Sequence, residues 1–434
     1  MKRVGAPLPL FLIAWLVAAG ESGGSAAGQQ QQAFRATVDL VAVTVQVVDG
    51  DGRPLVSLDR DKFDVTIDGQ RRRVVSSDLV QFGPGLISGS GLAAGGTDDA
   101  PGERGDRTFI LVVDASSFEP SEAIQVIQAA HGFVRRLNDT DVVGVFSLPL
   151  GSRVEPTHSR APIHAALDRI TGERPTMASQ FNLTTSEVID IMAQANSRAT
   201  TFQTTTPSSG RGVVVPEPLT IEGNALESVQ LRECRRPGDA VCLQSIISEA
   251  SALAMQLEER ARRSLMGISA LLDAIQERPG RKTLVVLSGG MPISDRPGGR
   301  INIGDEASVL GERAARANAV IYALHVDDGM TRIYTAQSRR VRDAKSVSRE
   351  RILEARLLEE FAAASGGALL PVSVGAGEIA LDRVLRETSA FYLLGVEPGN
   401  TERDGKAHRL RVRVNQRGAT VRSRQWVVLP KPAR

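Results

Sequence analysis

The strongest constraint in this sequence is a series of short apolar runs, each set apart from the next by residues of helical period. Thr108 to Val113, Val142 to Leu148, Leu284 to Leu287, Val320 to Val326 and Ala368 to Val372 are apolar throughout or nearly so. A strand without polar alternation belongs to a sheet covered on both faces, as parallel sheets are. Between these runs, Glu119 to Leu137, Ile163 to Ile170, Glu306 to Asn318, Arg351 to Ser365 and Glu378 to Thr388 read as helices. In the first of them Ile124, Ile127, Ala130, His131 and Val134 recur at helical spacing. Strands alternating with helices define a doubly wound α/β domain with a mostly parallel sheet.

The regions on either side are β. Alternation from Thr37 to Val47 stops at Asp49-Gly50-Asp51-Gly52, a turn sequence whose aspartates lack the spacing of a calcium loop. Phe63 to Ile67 and Arg73 to Phe82 follow as strands, and Phe391 to Val396, His408 to Val414 and Thr420 to Leu429 lie near the other end. Neither group closes a core comfortably alone. The expected arrangement is one β-sandwich completed by residues 36–83 and 390–434, two separate small β modules being the other possibility. Residues 84–105 then form a Gly-rich linker, and 106–389 the α/β domain with an insertion at 172–250. Leu243 to Ile275 reads as one long helix returning to the sheet.

Lys2 and Arg3 precede the apolar run from Leu8 to Ala19, which ends in small residues. That pattern is a secretory signal peptide. Residues 1–28 are expected to be removed, leaving a secreted, periplasmic or cell-envelope protein. The run is shorter than the ~20 residues of a spanning helix, and no later segment is read as apolar enough to cross a membrane. In such a compartment Cys234 and Cys242 are expected to form a disulfide. Lys and Arg total 52 against 50 acids, so a net charge of +2 provides no broad field for nucleic acid. Aromatic residues, at 4%, are too few for a base-stacking platform. The five histidines are scattered, and two cysteines cannot build a four-thiolate zinc site.

Ligands of open α/β sheets gather beyond the carboxyl ends of the strands. The first strand ends there in Asp114-Ala115-Ser116-Ser117-Phe118. Phe109-Ile110-Leu111-Val112-Val113 running into Asp114-Ala115-Ser116 resembles the first strand of von Willebrand factor A domains, a Rossmann-like fold. The flanks are similar to a bacterial, acidobacterial-type von Willebrand A-related subfamily. The matching blocks are Val43-Thr44-Val45 to Leu55, Asp61-Lys62-Phe63, Asp68-Gly69, Tyr392-Leu393-Leu394-Gly395 and Gly405 to Leu410. The resemblance implies a metal-ion-dependent adhesion site begun by an Asp-x-Ser-x-Ser loop and completed by a threonine and a second aspartate. Here Phe118 stands in place of the second serine, and Gly289 in place of that aspartate. Asp114 and Ser116 remain as metal ligands of an incomplete site for weak Mg2+, with Thr171 or Thr176 as the threonine. Ser288, Glu119 or Asp295 are candidates to compensate. Supplying the missing donors, Phe118→Ser with Gly289→Asp, is expected to restore the site provided a threonine from the insertion can reach it.

The implied function is binding of a protein or envelope ligand at a crevice formed by Asp114, Ser116 and Ser288, without catalysis and with no cofactor. The alternative is a metal-free scaffold with a vestigial crevice, in which Asp114 and Ser116 merely cap the following helix. A more remote alternative is a serine hydrolase using Ser288, His325 and Asp327, but no Gly-x-Ser-x-Gly elbow surrounds Ser288. The charged stretch from Arg339 to Arg356 reads as a solvated helix with paired charges.

Overall fold

The computed structural model describes residues 40–82, 107–174, 179–203, 225–236, 238–296, 299–303, 305–327, 344–373, 376–429 and 431. The expected signal peptide and the whole of the expected linker lie outside them. In chain order the strands before the α/β region are β1 (Val41–Val48), β2 (Phe63–Ile67), β3 (Gln70–Arg72) and β4 (Val74–Gln81). There follow β5 (Thr108–Asp114), α1 (Pro120–Arg136), β6 (Val142–Leu148), β7 (Arg153–Thr157), α2 (Ala161–Leu167), α3 (Thr185–Gln203), α4 (Ala225–Glu233), α5 (Ala240–Ile275) and β8 (Lys282–Ser288). After these come α6 (Glu306–Arg316), β9 (Ala319–Asp327), α7 (Ala344–Ser365), β10 (Leu369–Ser373) and α8 (Gly377–Glu387). The described chain closes with β11 (Ala390–Val396), β12 (Ala407–Val414), β13 (Thr420–Ser423) and β14 (Trp426–Val428).

Six strands form a mixed sheet in the order β10-β9-β8-β5-β6-β7, parallel except for β7 at one edge. Its apolar strands divide their side chains between two cores with period two. Phe109, Leu111 and Val113 pack with α1, α2 and α8 through Phe133, Leu167 and Leu381. Ile110 and Val112 enter the opposite core, with Ile268 of α5, Leu310 of α6 and Phe361 of α7. The buried face of α1 is Ala123, Val126, Ile127, Ala130, Phe133 and Val134, so the expected Ile127, Ala130 and Val134 face the core, whereas Ile124 is exposed and His131 half-buried. β7 was not expected. Pro156 lacks an amide donor and suits an edge strand, the position β7 occupies.

The insertion adds a third core. Val188, Ile189 and Met192 of α3, with Leu226 and Val229 of α4, pack on Ile246, Ala250, Leu253 and Leu257 of α5. One helix serves two cores in succession, because Leu265, Ile268 and Leu272 further along α5 belong to the sheet. By length and composition α5 does qualify as a candidate membrane-crossing helix, which corrects the expectation that no later segment would. Its apolar inner face is occupied by these two cores. Arg349 of α7 ties the insertion down, donating to Asp190 of α3 at 2.5 and 2.9 Å and to Asp295 at 3.1 Å. Of the charged stretch, Arg351 and Arg356 also meet acids, Asp327 and Glu360. Arg339, Arg340 and Arg342 lie outside the described residues.

The remaining strands form two antiparallel four-stranded sheets, ordered β13-β1-β11-β4 and β14-β12-β2-β3. Strands from the two ends of the described chain alternate within them: β1 pairs with β11 and β13, and β12 with β2. The two sheets share one apolar cluster, in which Val43, Val45 and Leu394 meet Phe63, Val65 and Val412. The expected strand Thr420 to Leu429 is two strands, each in a different sheet. The break falls where Gln425 N–H donates to Ala364 O at the end of α7, at 3.0 Å. There Gly366, at φ +87°, lies so close that a Cβ would come within 2.4 Å of the Arg424 nitrogen. Docking of the helix end thus displaces the chain from one ladder to the other.

Candidate functional site

β5 and β8 are neighbours in the parallel sheet, so the loops at their carboxyl ends lie side by side. This register brings Asp114, Ser116 and Ser288 together, and α5 adds a residue that sequence reasoning missed. Asp114 is 1% exposed. Its Oδ1 accepts from Ser116 Oγ at 2.8 Å and from Ser264 Oγ at 2.9 Å, and its Oδ2 accepts from Ser288 Oγ at 3.0 Å. Burial raises the Asp114 pKa above the ordinary carboxylate value, while the three hydroxyls and the charge of Arg260 oppose the rise. Of the four residues, Ser116 alone retains appreciable surface.

The surrounding loop is equally committed. Ser117 Oγ donates to Asp114 O at 2.6 Å and accepts from Gly289 N at 2.8 Å, so it pins the β8 loop to the β5 loop. Gly290 N donates to Ser288 Oγ at 3.1 Å. On the other side, the N–H groups of Glu173 and Arg174 donate to Ala115 O and Phe118 O, each at 2.8 Å. Thr171 is exposed just before this segment, and Thr176 lies outside the described residues. Asp114 makes no side-chain cap. The start of α1 is instead served by Glu122, which accepts from Glu119 N at 2.9 Å. The helix-cap expectation for Asp114 is therefore corrected.

A hard cation such as Mg2+ needs a near-octahedral set of oxygens. The hydrogen-bonding partners of Asp114 are three hydroxyls, with no second carboxylate among them. Glu119 pairs with Arg174 and Asp295 with Arg349, so neither supplies the missing charge. Phe118 is 1% exposed and belongs to the core beside α1. A Cβ at Gly289 would lie 2.6 Å from the Ser117 carbonyl oxygen and 3.4 Å from the Phe118 ring. Both positions that lack an oxygen donor are thus filled by packing. The residues present do not make up the ligand set that the resemblance implies, and the close approach at Gly289 opposes restoring it by Phe118→Ser with Gly289→Asp.

The hydrolase residues lie on adjacent strands, Ser288 opposite His325 in register. The Ser288 hydroxyl hydrogen, however, is directed to Asp114. His325 is 1% exposed within the sheet, and Asp327 meets Arg351 at 3.5 Å. Elsewhere the fold joins two histidines that lie 33 positions apart. His131 of α1 and His164 of α2 have Nδ1 atoms 2.6 Å apart, and His131 Nε2 lies 3.0 Å from Asp168 Oδ1. Burial, then the neighbouring His131, pushes the His164 pKa down. Cys234 and Cys242 lie at disulfide distance, with Cα atoms 6.1 Å apart, between α4 and the first turn of α5.

No family model matches this chain, and its comparison with curated proteins finds no significant match.

Proposed function

We propose that this chain is an exported, non-catalytic interaction module of von Willebrand A type that works without a bound metal. The observation that carries this reading is the Asp114 carboxylate, buried and closed over by Ser116, Ser264 and Ser288. In this reading the cluster is a clasp that fixes the carboxyl ends of β5 and β8 to α5. The surface that meets a protein or envelope ligand then depends on loops around the clasp, with Ser116 at its edge. The two four-stranded sheets and their common apolar cluster support a discontinuous β-sandwich, into which the α/β domain is inserted.

Calorimetric titration tests the central claim. Mg2+ at millimolar concentration is expected to give no saturable heat, and a chelator is expected to leave the melting temperature unchanged. Micromolar Mg2+ binding that Asp114→Ala abolishes would replace this proposal with metal-dependent adhesion. A serine-reactive probe is expected to leave Ser288 unlabelled. Export is tested separately by mass analysis of fractionated cells, which should find an N-terminus between Glu21 and Ala33. In that fraction Cys234 and Cys242 should resist alkylation until reduced. Free thiols on both would count against an oxidising compartment.

A further inference from the structure

The β14-β12-β2-β3 sheet turns one face to the apolar cluster it shares with the other antiparallel sheet. Strand periodicity sends Leu410 and Val412 of β12 into that cluster, with Val65 and Ile67 of β2. The alternate residues Arg409, Arg411 and Arg413 therefore project from the opposite face, and all three are exposed. In register beside them stand Asp64 and Thr66 of β2, Arg71 of β3 and Trp426 of β14. The face thus gathers four arginines in a chain whose net charge is only +2.

The acids at this face are already engaged. Asp64 pairs with Arg71 at 3.0 Å. Asp68, in the turn after β2, has one oxygen 2.7 Å from His408 Nδ1, and the other accepts from Arg409 N at 2.8 Å. Among the described residues no carboxylate pairs with the side chains of Arg409, Arg411 or Arg413. The Arg409 guanidinium carbon lies 5.9 Å from the centre of the Trp426 ring, a contact that orients the cation without neutralising it. Trp426 is itself seated against α6, where a Cβ at Gly311 would lie 3.3 Å from its ring. Three cations in a row along one strand remain for a partner.

We propose that this face binds a linear anionic polysaccharide, whose carboxylate or sulfate groups meet Arg409, Arg411 and Arg413 in succession. Alternate residues of a strand are roughly 6–7 Å apart, so the guanidiniums form a straight row suited to an extended chain of repeated charges. Guanidinium forks match such oxygens with paired donors. One exposed ion pair contributes little. On a polymer, however, the second and third contacts become intramolecular and add avidity. A bilayer fits less well, because among the described residues this face presents no exposed large apolar side chain to insert. Single-stranded nucleic acid also fits less well, since it needs free stacking rings and Trp426 already faces Arg409. The face is separate from the Asp114 cluster, and its test does not depend on the function proposed above.

Polygalacturonate, which is carboxylated, and heparin, which is sulfated, are titrated separately into the full chain at low salt and followed by calorimetry. Saturable binding of at least one is expected, weakening as added salt screens the charges. Arg411→Gln combined with Arg413→Gln should weaken it at least tenfold and leave the melting temperature unchanged. A control removes the same charge elsewhere: Arg263→Gln with Arg356→Gln, at surface pairs with Glu259 and Glu360, should leave the affinity within twofold. An equal loss in the control would mean a general charge effect and would overturn the proposal, as would absence of saturable heat with both polymers. Tighter binding of single-stranded DNA or of phosphatidylglycerol vesicles, lost in the same double variant, would assign the face to another class of partner and would also overturn it. If the double variant does not fold, Arg413→Gln alone decides: a threefold loss supports the proposal, and an unchanged affinity overturns it.

Discussion

The two ends of the parallel sheet resolve their charge in opposite ways. At the carboxyl end, one buried carboxylate receives three hydroxyl donors from β8, α5 and the loop after β5. At the amino end, Arg281, Arg422 and Arg424 line a solvent-open cleft while Glu387 is shared by two arginines. The first arrangement is complete within the chain, since every donor aimed at Asp114 is supplied by the protein. In the second, no carboxylate among the described residues pairs with Arg281, which lies against the Phe391 ring. Position at the end of a strand therefore does not by itself decide how a charge is met; its partners do.

The comparison breaks most readily at Asp114. Asp114→Ala leaves three inward-facing hydroxyls without their acceptor. Relief of the buried charge offsets part of the cost, so a net loss of about 2–4 kcal/mol is expected in urea denaturation. A loss within about 0.5 kcal/mol, the range of neutral surface changes, would show that the serines re-pair and that the clasp is dispensable.

Gly289→Asp sharpens the contrast with a metal site at a smaller expected cost. Its Cβ would meet the Ser117 carbonyl at 2.6 Å, an approach with backbone that no rotamer relieves. About 1–3 kcal/mol of destabilisation is expected from the forced shift. Mg2+ should not recover the lost stability, either in the single variant or together with Phe118→Ser. Recovery at millimolar Mg2+ would show that the loop opens to admit the donor and would remove the packing argument.

How far the sequence disclosed this arrangement depended on how local the signal was. The unbroken apolar character of Phe109 to Val113 marked a strand buried on both faces, and the position of Asp114 at its end followed directly. Ser264 stands 150 positions away in the middle of α5. Its only trace in sequence is a small polar residue on the face that carries Ala261, Leu265 and Ile268. The arginine cleft had still less of a signal, because Arg281, Arg422 and Arg424 meet only when the last strands pack beside the sheet. Likewise the Thr420 to Leu429 run looked continuous because its break is imposed by the end of α7 and not by a turn residue. Phe118 was read as a missing ligand, whereas its burial in the α1 core gives its hydrophobic side chain a packing role of its own.

The smallest expected effect is a difference in the sign of pH dependence between the two ends. Burial raises the folded-state pKa of Asp114 above 3.8. As pH rises from the unfolded value, the folded chain keeps a proton that the unfolded chain has lost. The contribution of Asp114 to stability therefore falls with rising pH up to the folded pKa and is constant beyond it. Arg281, held down to about 10, gives the opposite slope, with stability rising with pH from there toward the ordinary guanidinium value. Asp114→Asn keeps the side-chain shape but does not titrate. The stability of the parent chain relative to Asp114→Asn, measured by urea denaturation from acid to neutral pH, should thus be greatest in acid and decline as pH rises. A relative stability that instead increases with pH would mean that the serine hydroxyls outweigh burial and hold Asp114 below its ordinary value. The carboxyl end would then be an ion site stabilised by its donors, and the contrast with the arginine cleft would rest on closure alone.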